Sequence, residues 1–347
     1  MSKQSAGNSP ALGKFDAGGR VPSNATAKRG NGAFTWPAAV AALLAVLIAL
    51  PLASDEKFVM SVAVTTFITA IAAASLHLVV RTGHVTLGHA AFMGIGAYAS
   101  VIGTMTFHLP FALSVVAAFI VPAALALVVG PIVLRLTGKY FVLVTFLFGE
   151  IVRMIFVNWS SVTGGSNGIF GVPAPIPLFA SPVPFYYLAL GFMVVILAFI
   201  ARLLNSEVGR AIDAIRESEP LARCSGVPVL RTKVMIFVLA CGIVGVAGAL
   251  QAHFVRYIDP TSFSLVQSLN LVVINVIGGM YTLVGPLVGT VFVVLLPEFL
   301  RGYVELQHVF FGILIILVMA FFPGGIANMG TLFRTNPFER FRSARNR

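Results

Sequence analysis

Ten apolar runs follow one another along this chain, at about 34–53, 58–80, 88–107, 111–134, 140–157, 185–204, 234–255, 262–277, 283–300 and 307–322. Most reach the roughly 20 residues that an α-helix needs to cross about 30 Å of hydrocarbon. A chain built of such runs needs lipid as its solvent, and its charge content agrees. Charged residues make up 10% of it, against about 25% in a soluble domain. The sequence therefore predicts an all-α fold, a polytopic membrane helix bundle of about ten transmembrane helices. The runs at 262–277 and 307–322 are short. The first of them carries Gln267, Asn270 and Asn275, which predicts a broken or tilted helix.

Basic residues gather on the cytoplasmic side of membrane proteins, so their distribution orients the bundle. With ten spans and both termini cytoplasmic, 19 of the 23 Lys and Arg fall inside. Only Lys57, Arg153, Arg256 and Arg301 lie in or near the outer half. Topology thus accounts for the net charge of +11. With no basic domain motif beside it, nucleic-acid binding is excluded. The expected organisation is a disordered basic tail at 1–33, a transmembrane permease domain at 34–323, and a basic cytoplasmic tail at 324–347. Within the domain, an external loop spans about 158–184 and an internal loop about 205–233. The tail is too long and polar before the first apolar run for a signal peptide. "GNSPALGK" near its start fails as a phosphate-binding loop, because five residues separate Gly7 from Gly13 and Phe15 follows Lys14. Two cysteines, Cys224 and Cys241, give no disulfide framework.

The internal loop reads "NSEVGRAIDAIRESEPLARCSGVPVLRTK". Ala211, Ile212 and Ile215 recur at helical spacing, with Arg210, Asp213, Arg216 and Glu217 between them. Ser218 is placed to cap a second short helix, Pro220 to sit in its first turn and Gly226 to end it. Two short amphipathic helices of mixed charge favour a protein docking surface over a helix lying on lipid, which would show a more one-sided basic face.

"GRAIDAIRESEPLARCSGV" resembles the cytoplasmic coupling segment of ABC importer permeases, specifically the LivM-type permeases of branched-chain amino acid importers. "GHVTLGHAAFMGIGAYAS" at 83–100, "GEIVRMIFVNWSSVTGGSNGIFGVP" at 149–173 and the block at 259–301 carry the same resemblance, in order, through about residues 60–322. It implies a subunit of the bacterial inner membrane with four partners in kind: a second, LivH-type permease, two ATPase subunits and an extracytoplasmic substrate-binding protein. ATP and Mg would then sit on the ATPases, with no cofactor on this chain. Gly209, Arg210, Ala214, Arg216, Glu217 and Gly226 would belong to the ATPase-coupling surface.

"TGGSNGIFG", at 163–171, contains a G-x-S-x-G pattern, which in a hydrolase marks a nucleophile elbow between strand and helix. Here Ser166 follows a membrane run and precedes a proline-rich external loop, so no catalytic residue is assigned. The glycines instead suit tight turns with positive φ. In the resembling family the block is a signature at the outer mouth, and Gly164, Gly165, Ser166 and Asn167 become candidates for the substrate pathway. Glu150 and Arg153, three apart on one helical face, join them, because a carboxylate at mid-membrane is a functional candidate by default. His89 and Asn275 complete the set. His77, His84 and His89 do not make a metal site, since Gly83 and Gly88 interrupt them and no cysteine or carboxylate joins. Gly285 and Gly289 form a GxxxG expected to pack helices closely. Two alternatives remain: a permease for urea or short amides, and a secondary transporter or channel without an ATPase.

Overall fold

The computed structural model describes residues 47–49, 51, 56–175, 179, 181–280, 282–299, 312 and 325. The chain divides into Met1–Ala53 and Ser54–Arg347. Of the first unit, residues 47–49 and 51 are helical. The apolar runs at 34–53 and 307–322 and both expected tails lie largely or wholly outside the described residues.

In the second unit the helices are α1 (Lys57–Arg81), α2 (His89–Met105), α3 (Phe111–Val133), α4 (Lys139–Asn158), the single turn α5 (Ser160–Thr163), α6 (Pro182–Leu204), α7 (Glu207–Glu217), α8 (Glu219–Cys224), α9 (Val229–Val255), α10 (Leu265–Gly278) and α11 (Val284–Phe299). Five of them, α1, α3, α4, α6 and α9, are long and apolar enough to cross a membrane. The apolar periodicity therefore reads out as helices with ends within a few residues of the runs. An all-α expectation misses one feature. Ile169–Phe170 (β1) pairs antiparallel with Tyr257–Ile258 (β2), Ile169 opposite Ile258 and Phe170 opposite Tyr257.

The core is α9 packed on α1, α2 and α3. Small residues let the backbones meet. A Cβ on Gly96 of α2 would stand 2.2 Å from the Gly245 Cα of α9, and one on Gly245 would stand 2.1 Å from the Ala118 carbonyl oxygen of α3. Around this centre α1 packs on α6, α10 and α11. The GxxxG pair behaves as its spacing predicts: a Cβ on Gly289 would lie 2.1 Å from the Ile274 carbonyl of α10. Helix α4 is held to α2 by rings, Tyr98 with Phe156 at 4.4 Å and Phe92 stacked on Phe148 at 5.1 Å.

Helix α10 has 14 residues, about 21 Å at 1.5 Å per residue, less than the hydrocarbon thickness of about 30 Å. A 3₁₀ turn at Pro260–Phe263 precedes it. Phe263 of that turn is buried against Gly94 in the middle of α2, where a Cβ would meet its ring at 2.9 Å. The chain after α9 thus enters the bundle before α10 begins, and α10 itself runs without a break through Gln267, Asn270 and Asn275, so the run at 262–277 forms a short helix rather than a broken one.

Candidate functional site

Three constellations lie along the bundle. The first is at the end carrying Arg81 and the α7–α8 segment, here the basic end. Ile212 and Ile215 of α7 are buried, and Ile215 clusters with Ala222 of α8 and Val229 of α9, with Ala214 packed beside them. The apolar stripe thus fastens the segment to the bundle, while Arg210 and Glu217 stay exposed. Gly209 makes the turn out of α6 possible, since a Cβ there would lie 1.9 Å from the Leu204 carbonyl oxygen. Ser218 occupies the cap position of α8 and Pro220 its first turn, but the Ser218 side chain makes no capping bond. Gly226 follows in the left-handed region at φ 82°. Arg216 is half-buried and lies 3.9 Å from Asp213 on its own helix. Asp213 accepts a 2.6 Å bond from Arg81 of α1, and Glu219 accepts a 2.7 Å bond from Lys233 of α9. The Lys233 hydrogen bond holds the Glu219 carboxyl below its ordinary value.

The second constellation is mid-helix. Arg153 donates to Glu150 on α4 at 2.9 Å, with the two side chains 26% and 31% exposed. With Leu147, Ile151, Met154, Ile155 and Asn158 the glutamate lines an open groove of about 510 Å³. On its other side it approaches Ser264 and Ser268 at the start of α10. His89 is fully buried and shares a 2.8 Å hydrogen bond with Ser75 of α1. Asn275 of α10 is buried and donates to the Ala73 carbonyl of α1 at 3.1 Å. Both therefore bind helices together; neither touches Glu150 through a hydrogen bond in the described set. His84 stands apart, its Nδ1 3.1 Å from the Thr82 carbonyl, and among the described residues no group of three metal-ligating side chains assembles.

The third is the glycine loop at the opposite end. Gly164, Gly165, Gly168 and Gly171 all have φ between 64° and 74°, as their residue type predicts. A Cβ on Gly164 would lie 2.1 Å from the Gly168 carbonyl oxygen, and one on Gly168 2.2 Å from that of Ile258. Ser166 is exposed on a 3₁₀ turn at Gly165–Asn167, not at a strand-to-helix elbow, and no nucleophile geometry forms. Tyr257 donates to the Asn167 carbonyl at 3.1 Å. His253 of α9 donates from Nδ1 to the Pro173 carbonyl at 2.8 Å, leaving Nε2 to accept from Ser100 of α2 at 3.0 Å. The loop is thus tied to α9 and, through it, to α2. Asp259 anchors the following turn. Burial pushes its carboxyl up, but bonds from Ser262 and Thr261 outweigh it and hold it below its ordinary value.

Near the loop end, a cavity of about 260 Å³ opens between Thr65 and Thr69 of α1, Gln251 and Phe254 of α9, and Gln267 and Asn270 of α10. Sequence reading picked out Gln267 and Asn270 only as marks of a broken helix. Arg81 and His253 have partners 132 and 80 residues away, beyond any spacing rule, while Gln251 lines the cavity and Lys233 meets Glu219 across 14 residues.

Residues 58–319 match the family described as branched-chain amino acid transport system / permease component. The chain is 32% identical over 316 residues to the high-affinity branched-chain amino acid transport system permease protein LivM of Salmonella typhimurium, covering 83% of this chain and 74% of the relative. To the protein of that name from Escherichia coli K12 it is 31% identical over the same shares. It is 27% identical over 239 residues to the ribose import permease protein RbsC of Escherichia coli K12, covering 65% and 71%. No solved structure matches.

Proposed function

The chain belongs to the branched-chain amino acid transport permease family, and from that premise we propose that it is the permease subunit of an ATP-driven importer that moves branched-chain amino acids across the bacterial inner membrane. The single observation that carries the reading is the family match over 58–319, strengthened by LivM relatives above 30% identity. The fastened α7–α8 segment supports it, because a transporter driven by separate ATPases needs a rigid place for them to push. The relatives do not favour the urea or short-amide reading.

In this account the basic end faces the cytoplasm, both termini lie there, and about ten helices cross. Two ATPase subunits bind ATP and Mg; this chain supplies transport and no catalytic residue. One ATPase seats on the exposed side of α7–α8, with Gly209, Ala214 and Gly226 shaping the segment and Arg210, Arg216 and Glu217 forming its polar surface. Leu221, 69% exposed on α8, adds an apolar contact there. A binding protein delivers substrate at the glycine loop, where Gly164, Gly165, Ser166 and Asn167 shape the mouth. The cavity bounded by Gln251, Gln267 and Asn270 receives a zwitterion with neutral amides and an apolar side chain with Ile68 and Phe254. Its volume of about 260 Å³ lies just below the roughly 300–1,000 Å³ of pockets for drug-sized ligands, as a single amino acid requires.

The Glu150–Arg153 pair argues where the second, LivH-type permease lies. A charge at mid-bilayer costs about 2.5–3.5 kcal/mol even on the most lenient scale. A pair left about 30% exposed by its own chain therefore faces protein or a water-filled path, and the α4 groove is the natural side for the partner and the pathway. His89 and Asn275 hold the walls behind it.

Co-expression tests the reading. Tagged full-length chain is expected to bring down the second permease and the ATPases. In a background with Cys224 and Cys241 replaced, Ser181→Cys is expected to react with a membrane-impermeant thiol reagent from outside. With Cys224 restored alone, reaction is expected only after permeabilisation. A chain that purifies alone, or that labels in the reverse pattern, contradicts it.

A further inference from the structure

We propose that Arg81–Asp213 and Lys233–Glu219 are a pair of transmission clamps, tying the coupling segment to two helices that both wall the substrate cavity. The proposal rests on the reading that residues 207–226 seat an ATPase, and it names the residues through which that seat acts. The ion pairs and the helices they join both support it. The two ion pairs join separate parts of the segment to separate helices, α7 to α1 at 2.6 Å and α8 to α9 at 2.7 Å. Their basic partners are shielded, the Arg81 side chain 14% and that of Lys233 4% exposed. By contrast two other pairs on the segment, Arg210–Glu207 and Arg223–Glu219, have arginines 70% and 71% exposed, and Arg216, 27% exposed, reaches Asp213 only at 3.9 Å and within its own helix. Exposed pairs of that kind contribute about 0–1 kcal/mol and hold nothing firmly.

The helices so gripped are suited to carry a displacement. Sharp helix bends have local causes, proline chief among them. Neither α1 nor α9 contains a proline, whereas α3 has Pro122 and Pro131 within it. From Arg81 to Thr69 along α1 is about 18 Å, and from Lys233 to Gln251 along α9 about 27 Å, at 1.5 Å per residue. Thr69 and Gln251 both face the cavity. A push on the segment is therefore delivered at two points to two proline-free helices that both line one compartment. Close packing of α9 through Gly245 and Gly96 leaves little slack to absorb it. These four side chains touch no substrate; they are positioning residues.

The test is transport per ATP hydrolysed in proteoliposomes holding the full complex, with co-purification of the ATPases as the assembly control. Asp213→Asn and Glu219→Gln keep shape and remove charge. Each is expected to retain the ATPases and to lower the transport-to-ATP ratio roughly tenfold, the scale of coupling between residues in one network. Exchanging the charges, Arg81→Asp with Asp213→Arg, puts a carboxylate on α1 opposite an arginine on α7. It is expected to restore at least half of the lost ratio. A purely structural role would lower yield and leave the ratio unchanged. An unchanged ratio in both single variants, or an exchange no better than Asp213→Asn, overturns the clamps. Should Asp213→Asn fail to reach the membrane, Glu219→Gln decides alone by the same ratio. Failure of the unaltered chain to hold the ATPases overturns the seat reading itself and the clamps with it.

Discussion

Helices α9 and α4 have nearly the same mean hydropathy, 2.3 and 2.0, yet α9 buries 72% of its spanning window inside the chain and α4 only 22%. Hydropathy places both in lipid and says nothing of which is central. What separates them is side-chain size and charge. Helix α9 carries Gly245 and Gly248, which admit α3 and α2 to backbone contact, and Gly242, which makes room for the Phe119 ring of α3. Helix α4 turns Leu147, Ile151 and Met154 outward and carries the Glu150–Arg153 pair on its open side. The inner helix is specified by what it leaves out, the outer one by what it still needs covered.

The largest effect expected is from breaking the inner helix. Gly245→Val puts a branched side chain where even a Cβ would lie 2.1 Å from the Ala118 carbonyl. Overpacking of this kind costs about 1–3 kcal/mol or more, and a collapse of detergent-solubilised yield and melting temperature is expected. The matching change on the outer helix, Met154→Ala, is expected to leave subunit stability near wild type and to weaken association with the second permease. Equal thermal loss in the two variants would erase the contrast.

Next in size is Glu150→Gln, which keeps shape and leaves Arg153 without its acceptor. A folded, assembled subunit with transport lowered roughly tenfold is expected, in line with the cost of an uncompensated charge in the membrane. Wild-type uptake would reduce the pair to packing. At the loop end, Gly168→Ala meets both a positive-φ extended backbone, φ 72° and ψ −169°, that only glycine adopts readily and the Ile258 carbonyl, with a cost of about 1–3 kcal/mol from the backbone alone. Ser166→Ala is expected to transport normally. Total loss in Ser166→Ala with normal assembly would revive a nucleophile.

The smallest effect is in pH. Burial, then the Lys233 charge, hold His84 below its ordinary 6.5. Its folded pKa is depressed, so the unfolded state takes up more protons as pH falls below about 6.5, and stability declines in that direction. Protection factors of the amides at 82–88, with the intrinsic hydroxide-catalysed rate divided out, are expected to fall modestly between pH 7.5 and 5.5. A rise would reverse the sign.

Much of the bundle was legible because helix formation in lipid is local: eight described apolar helices sit where runs were read. The α7–α8 pair and the positive-φ glycines were equally local. Gln267 and Asn270 suggest a break, yet α10 runs intact through them; its late start follows from Phe263 entering against Gly94, a long-range contact. Arg81 meets Asp213 from 132 residues away and His253 reaches Pro173 from 80. No spacing rule pairs such residues, so the clamps, the loop tether and the cavity emerge only when α1, α9 and α10 are brought side by side.

The central claim is that this chain moves amino acid only when separate ATPases act through its coupling segment. Uptake of radiolabelled leucine into proteoliposomes holding the full complex measures it directly. Uptake is expected only with ATP on the side of Arg210 and Glu217 and binding protein on the side of Ser166. Uptake driven by an ion gradient with no ATP present would contradict the account.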